Sequence, residues 1–326
     1  MPDNVGLISK VRLGGGMVVG RQGLGCMGMS EFYGQTDKRQ ALATLERALE
    51  LGVNMFDTAD MYGLGANEQL LAPFLARHRA KALVATKFGY TRDARSPDDW
   101  SLDNRPEYIR QAVDRSLQRL GVEVIDLYYM HRRVESVPLD ESIGAMADLV
   151  KAGKVRALGL SQVSAQELLQ AHAIHPIAAL QSEWSLFARE IESEILPVAR
   201  SLGTTLVPYA PLGRGLLVGP ANGLVLEQDD VRRHFPRFQD ENWRANQRLV
   251  ETLQHSAGML GISTAQAALA WLYTKAERLG VDIVPIPGTR NCQRLAENVA
   301  ASSIRLSDAE MDSLETLADA VQGAAV

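Results

Sequence analysis

Four ionisable residues of different chemistry stand at the ends of apolar runs: Asp57 and Tyr62 in "FDTADMYG", Lys87 in "ATKFG" and His131 in "YYMHR". Brought to one place, they make a proton-donating device. Tyr62 delivers a proton, Lys87 favours the tyrosinate left behind, Asp57 holds the lysine, and His131 orients a carbonyl oxygen. A phenol of ordinary pKa, about 10, carries its proton at neutral pH but gives it up reluctantly. A lysine cation roughly 4 Å from the phenol oxygen contributes about 4 kcal/mol at an effective dielectric near 20, before desolvation. That predicts a phenol pKa lowered by about one or two units. Asp57 would offset the cost of burying Lys87. Singly, each residue has a plainer explanation: a turn or N-cap for Asp57, packing for Tyr62, a snorkelling lysine for Lys87 and a satisfied buried histidine for His131. Their joint placement at the ends of neighbouring runs is what points to chemistry. Asp57 and Asp60, three residues apart with one histidine available, match no familiar ligand spacing, so no metal is expected.

Such residues converge only if the runs that carry them share an end. The apolar runs "LGCM", "VNMFDTA", "ALVATKF", "VIDLYYMH", "KVRALGLS", "AALQSEWS", "TTLVPYA" and "IVPIPGT" read as eight strands. Amphipathic stretches such as 38–51, 106–120, 139–152 and 165–175 read as helices between them. Pro106 and Pro138 stand where first turns begin, and Gly52, Gly121, Gly153 and Gly203 where helices end. Strands that are apolar throughout are those of a parallel sheet covered on both faces. Eight βα units predict a (β/α)8 TIM barrel, whose strands present their C-terminal ends on one face. An N-terminal β-hairpin near "SKVRLGGGMVVG" precedes it and an added C-terminal helix over 306–321 follows; a doubly wound sheet is the alternative. No Pro/Ser-rich linker divides the chain, so 1–326 reads as one domain. The stretch 212–240, rich in Gly and Arg, is the longest without a strand and a candidate lid.

With 326 residues, 46% hydrophobic and 22% charged, the chain has a globular composition, which excludes disorder as its main state. A net charge of −5 gives no broad basic field and disfavours nucleic acid as a partner. Only Cys26 and Cys292 occur, which argues against a disulfide scaffold and suits a reducing compartment. "MPDNVGLISK" has no apolar leader core, and no run approaches the roughly 18 apolar residues of a membrane span. A cytoplasmic protein acting on a small molecule is expected, without a membrane partner; oligomeric state is not legible.

One motif points elsewhere. "GLGCMG", 23–28, spells the dinucleotide fingerprint G-x-G-x-x-G, whose mechanism needs a helix N-terminus directly after the third glycine. Here "MSEFYGQTDKRQ" follows and delays helix onset to about Asp37. The Rossmann reading fails on that context, even with Asp57 at the end of the second strand.

Taken together and in order, "GLGCMG", "FDTADMYG", "TKFG", "HR", "GLSQVS", "QSEWSLF", "PYAPLGRGLL" and "PIPGTRNCQRLAEN" resemble the aldo-keto reductases over nearly the whole chain. The resemblance implies a barrel that reduces carbonyls with NADPH and uses no metal or flavin. It implies that Asp57, Tyr62, Lys87 and His131 are the catalytic tetrad. The "GLGCMG" glycines then belong to the first barrel strand, where bare backbone passes beneath the nicotinamide. By the same resemblance, Ser161 and Gln181 bind the carboxamide, with Gln162 beside them where many relatives carry Asn or another polar residue. Tyr209 stacks on the nicotinamide ring, and Leu212, Gly213, Arg214 and Gly215 approach the pyrophosphate. In the IPGTR-type motif, Thr289, Arg290 and Arg294 face the 2′-phosphate, and Glu297 and Asn298 the adenine. Several relatives have Lys and Ser where Gly288 and Thr289 stand here. Met27 is assigned to the cofactor and also to the pocket, and Tyr33, Phe88 and Trp100, with Trp184 beside them, are the expected pocket lining for a small carbonyl substrate. Two other readings stand beside this one: a cofactor-binding regulatory subunit of the same fold with slow turnover, and an unrelated barrel isomerase that binds no nicotinamide.

Overall fold

Local capping chemistry sets the helix bounds. In the computed structural model, which describes residues 7–34, 36–218, 226 and 230–325, helix α1 (Lys38–Glu50) starts after Asp37, whose carboxylate accepts from the Arg39 and Gln40 amides. Helices α2 (Ala66–His78), α3 (Pro106–Leu120), α4 (Leu139–Lys151), α5 (Ala165–Ile174) and α6 (Ile195–Leu202) follow in turn. They precede α7 (Asp240–Met259), α8 (Thr264–Leu279), α9 (Cys292–Ala301) and α10 (Asp308–Ala318), the added C-terminal helix. Ser164, Ser263 and Ser307 form capping boxes with Glu167, Gln266 and Glu310 at the starts of α5, α8 and α10. Gly121 and Gly203 end α3 and α6 in the left-handed region, at φ of 65° and 66°.

The antiparallel hairpin pairs β1 (Lys10–Arg12) with β2 (Val18–Gly20). Seven parallel strands then lie side by side in chain order: β3 (Leu24–Gly25), β4 (Met55–Asp57), β5 (Leu83–Phe88), β6 (Ile125–Met130), β7 (Val155–Ser161), β8 (Ile177–Glu183) and β9 (Thr205–Tyr209). The eighth expected strand departs from a regular ladder. Residues 283–289 join β9 and β3 through single bridges, Leu206 to Ile283 and Gly25 to Gly288. The backbone bonds there run from Ile286 N to Pro208 O at 3.0 Å and from Gly23 N to Pro285 O at 3.0 Å. Pro285 and Pro287 have no N–H to donate, which is why the closing segment pairs only intermittently. The ring of strands closes nonetheless.

Side-chain parity divides the core into two shells. Met55, Ala85, Leu127, Tyr129, Ala157, Ala179, Val207, Val284 and Ile286 fill the barrel, with Leu13 and Val19 of the hairpin packed among them. Phe56, Val84, Phe88, Tyr128, Leu158 and Leu206 face the helices. Gly159 has no side chain because a Cβ there would lie 2.4 Å from the Tyr129 ring. Of the candidate lid, the described parts are short turns such as Val231–His234 and Pro236–Phe238; residues 219–225 and 227–229 lie outside the described residues. No described helix is long and apolar enough to cross a membrane.

Candidate active site

Parity also delivers the site. Asp57 follows inward Met55, Lys87 follows inward Ala85, and His131 stands just past Met130, so all three reach the C-terminal mouth of the barrel. Fully buried Lys87 places Nζ 2.5 Å from Asp57 Oδ1, 2.8 Å from the Thr58 carbonyl and 3.2 Å from the Tyr62 hydroxyl. The second Asp57 oxygen accepts from Gln181 Nε2 at 2.8 Å. Tyr62 and His131 meet edge to face, with ring centroids 5.9 Å apart. Tyr62 opens a short turn (Tyr62–Gly65) in which Gly63, Leu64 and Gly65 all have positive φ, at 55°, 55° and 90°. Behind the turn, buried Asn67 donates to Cys26 O and Ser30 Oγ, both at 2.8 Å, and accepts from Thr58 Oγ1 at 2.6 Å. Next to it, Glu68 accepts from Thr86 Oγ1 and Arg119 Nε, each at 2.6 Å.

The electrostatics correct one expectation. Burial pushes the Tyr62 phenol above its ordinary pKa, and the neighbouring Lys87 only partly offsets this. The expected net lowering is absent because the phenol is removed from water, a larger effect than its cation at 3.2 Å. Burial opposes the charge on Lys87, but Asp57 and Tyr62 overcome it and hold the ammonium protonated. His131 is driven well below the usual imidazole range by burial and then by Lys87 and Arg132. It is therefore neutral at pH 7, with Nδ1 buried and without a hydrogen-bond partner among the described residues. Asp60 sits in a different field, that of Glu68, Arg119 and Arg115.

The residues singled out for the cofactor fall into three groups. Ser161 and Gln181 are buried neighbours on β7 and β8, with Ser161 Oγ accepting from Arg132 Nη1 at 3.2 Å. Gln162 is exposed, with φ of 51°, and its amide donates to Gln181 O. Half-buried Tyr209 ends β9, and past it come Leu212 and then Gly213, Arg214 and Gly215 with φ of 56°, 56° and 95°. Arg214 is not the solvated side chain that an arginine in a loop brings to mind. Its guanidinium pairs with Glu183 at 3.2 Å and lies 4.8 Å from the Phe235 ring centre. At the third group, Thr289 Oγ1 accepts from the Asn291 amide, and Arg290 Nη2 donates to the Tyr33 carbonyl at 3.1 Å. Arg294 is exposed in the first turn of α9 and has no side-chain partner among the described residues. Glu297 is half-buried and Asn298 buried further along α9. Two of the "GLGCMG" glycines belong to the barrel seam: a Cβ on Gly25 would lie 2.8 Å from Ile286 O, and one on Gly23 2.9 Å from Ile286 Cγ2.

Two expected pocket residues point elsewhere. Phe88, next to inward Lys87, faces the helices and packs on Tyr128 at 5.1 Å. Trp184 is fully buried against Trp271 and donates to Glu192 at 3.0 Å. Trp100 is half-exposed, and Tyr33 lies against Gly28 and under Arg232. Met27 packs with Tyr62, Phe32 and Tyr90. Phe32 and Tyr90 are contacts of the site that sequence reasoning missed: Phe32 meets Tyr62 and Tyr90 meets His131 edge to face, the latter at 5.1 Å. Strand alternation counted from Lys87 would have excluded Phe88.

Residues 21–319 match the model of the aldo/keto reductase family. A probable aldo-keto reductase of Glycine max is 41% identical over 307 residues, covering 93% of this chain and 87% of that protein. The solved glycerol dehydrogenase of Gluconobacter oxydans superposes with a TM-score of 0.84 at 30% identity, covering 94% of each chain. An aldo-keto reductase of Bacillus halodurans, solved in its holo form, gives 0.78 at 27% identity, covering 98% of this chain and 97% of that one. With the parallel barrel, the hairpin beneath it and a match spanning nearly every residue, the chain belongs to the aldo/keto reductase family and is an oxidoreductase of carbonyl and alcohol groups.

Proposed function

We propose that the protein reduces an aldehyde or ketone to an alcohol with NADPH, reversibly, and that Tyr62 supplies the proton. The observation that carries this reading is the position of Lys87 Nζ, within hydrogen-bond distance of Asp57 and Tyr62 at once, with Met27, Phe32 and Tyr90 packed about the phenol. Raised by burial, the phenol is fully protonated at neutral pH, as a proton donor must be. Lys87 then stabilises the tyrosinate that donation leaves, and Asp57 keeps Lys87 charged. Neutral His131 can donate an N–H to the substrate oxygen and fix its distance from the phenol.

The residues present fit a dinucleotide. Arg294 is an exposed cation, Ser161 and Gln181 are paired neighbours at the ends of β7 and β8, and Gly213 to Gly215 are left-handed backbone with little side chain to obstruct a phosphate. Arg290 and Arg294 would take the 2′-phosphate, Gly213 to Gly215 the pyrophosphate, and Ser161, Gln181 and Tyr209 the nicotinamide. When bound, NADPH supplies the hydride to the carbonyl carbon.

The test is oxidation of NADPH, with NADH alongside, across a panel of aldehydes, ketones and sugars, with glycerol included in the reverse direction. Tyr62→Phe should lower turnover about 10²- to 10⁴-fold, the usual worth of a general acid, while a fluorescence titration shows NADPH binding retained. Near-wild-type turnover of that variant would remove Tyr62 from the mechanism.

A further inference from the structure

We propose that Glu31 is a positioning residue for Tyr62, held in place by Arg92, and that the pair couples the aromatic residues Phe32 and Trp100 to the proton donor. This rests on the reading of Tyr62 as the general acid.

The turn after Tyr62 is strained. Three successive residues have positive φ, and one of them, Leu64, carries a side chain. Such a backbone persists only where its surroundings over-determine it. Glu31 is one of those surroundings: its Oε2 accepts the Gly63 amide at 2.8 Å, one residue beyond the phenol's own Cα. The carboxylate is in turn locked by a two-pronged contact, Arg92 Nη1 to Oε2 at 3.1 Å and Nη2 to Oε1 at 2.7 Å. A guanidinium fork fixes a carboxylate in orientation as well as in charge. Arg92 itself has little freedom. Its side chain is 7% exposed, Nε donates to Pro97 O at 2.6 Å, and the guanidinium lies 4.3 Å from the Trp100 ring centre and 5.8 Å from that of Phe32.

The chain of contacts therefore runs from Trp100 and Phe32, through Arg92 and Glu31, to the amide beside Tyr62. Phe32 also meets Tyr62 edge to face at 6.5 Å, so Phe32 and the donor are joined twice. Two different loops contribute, one after β3 and one after β5, and neither carries a catalytic side chain. Small displacements of a reacting group can cost as much as a hundredfold in rate, so a device that holds the phenol acts on turnover more than on affinity.

The test compares wild type, Glu31→Ala, Glu31→Gln, Arg92→Met, the double variant Glu31→Ala/Arg92→Met and Tyr62→Phe. Each is followed by kcat, KM, the solvent deuterium isotope effect and NADPH titration. Glu31→Ala should lower kcat on the order of tenfold and raise the isotope effect, because proton transfer becomes the slow step, with NADPH affinity unchanged. Glu31→Gln, which keeps an acceptor for the Gly63 amide, should recover most of the rate. The double variant should be no slower than Glu31→Ala alone, since both changes break one chain of contacts. Wild-type kcat and isotope effect in Glu31→Ala, or additive losses in the double variant, would overturn the inference while the reductase reading stood. Should Glu31→Ala not fold, Arg92→Met carries the test, with a raised isotope effect expected and wild-type kinetics overturning it. If Tyr62→Phe itself kept full turnover, the functional reading would be the part that fails.

Discussion

Lys87 decides how much of the site can be read from residue types alone. A lysine, an aspartate, a tyrosine and a histidine behind neighbouring strands announce a charge relay, and the side chains do meet. What residue types do not announce is direction. Phe88 and Trp184 looked like pocket lining as aromatics close to the strand ends, yet parity turns the first toward the helices and packing takes the second into the core. Arg214 and Glu183 lie 31 positions apart, so their pairing could not be read from local spacing. Burial of the phenol, which reverses the expected direction of its pKa, depends on the whole mouth and on no single residue. Arg294 is the residue whose exposure leaves most to test. If it pairs with the 2′-phosphate, Arg294→Ala should weaken NADPH about ten- to a hundredfold and NADH far less, since a hydrogen bond to a charged group contributes about 1.5 to 3 kcal/mol. Titrating both nucleotides against both proteins checks this; equal losses would show that Arg294 does not read the phosphate.

Among elements, the helices were legible because their end signals are local: Asp37, Pro106, Pro138, Gly121 and Gly203 act within a few residues of themselves. The closing segment was legible as an apolar run but not as an intermittent one, since its irregularity comes from prolines meeting partners far away in the chain. Gly25 tests that seam. A methyl group there would stand 2.8 Å from the Ile286 carbonyl oxygen, against backbone that cannot rotate aside. Gly25→Ala should therefore lower the melting temperature, with an overpacking cost of about 1 to 3 kcal/mol. An unchanged melting curve would mean that 283–289 can shift outward without loss.

For the molecule as a whole, charge is distributed so that buried groups are held by rings of partners. Arg189, Glu192, Lys275 and Glu315 alternate in sign and tie α10 to the barrel, at 2.8 to 3.7 Å. Asp60 is the counter-example. Burial, then Glu68, raise its carboxyl to about 8, and Oδ1 has no hydrogen-bond partner among the described residues. A raised acid keeps its proton in the folded state after the unfolded chain has lost it, so this group's contribution to stability falls as pH rises from about 4 to about 8. Asp60→Asn should consequently raise the melting temperature at pH 8 and change it little at pH 4; the opposite trend would show that the ionised carboxylate is stabilising. The seam has a further consequence for how the chain is made. β3 pairs with β4, but its other neighbour is residue 288, so during synthesis one flank of the first barrel strand stays open until residue 288 has emerged. That flank is two residues long and half glycine. It offers a second nascent chain only a short edge to pair with, so the strand that waits for residue 288 is a weak template for aggregation.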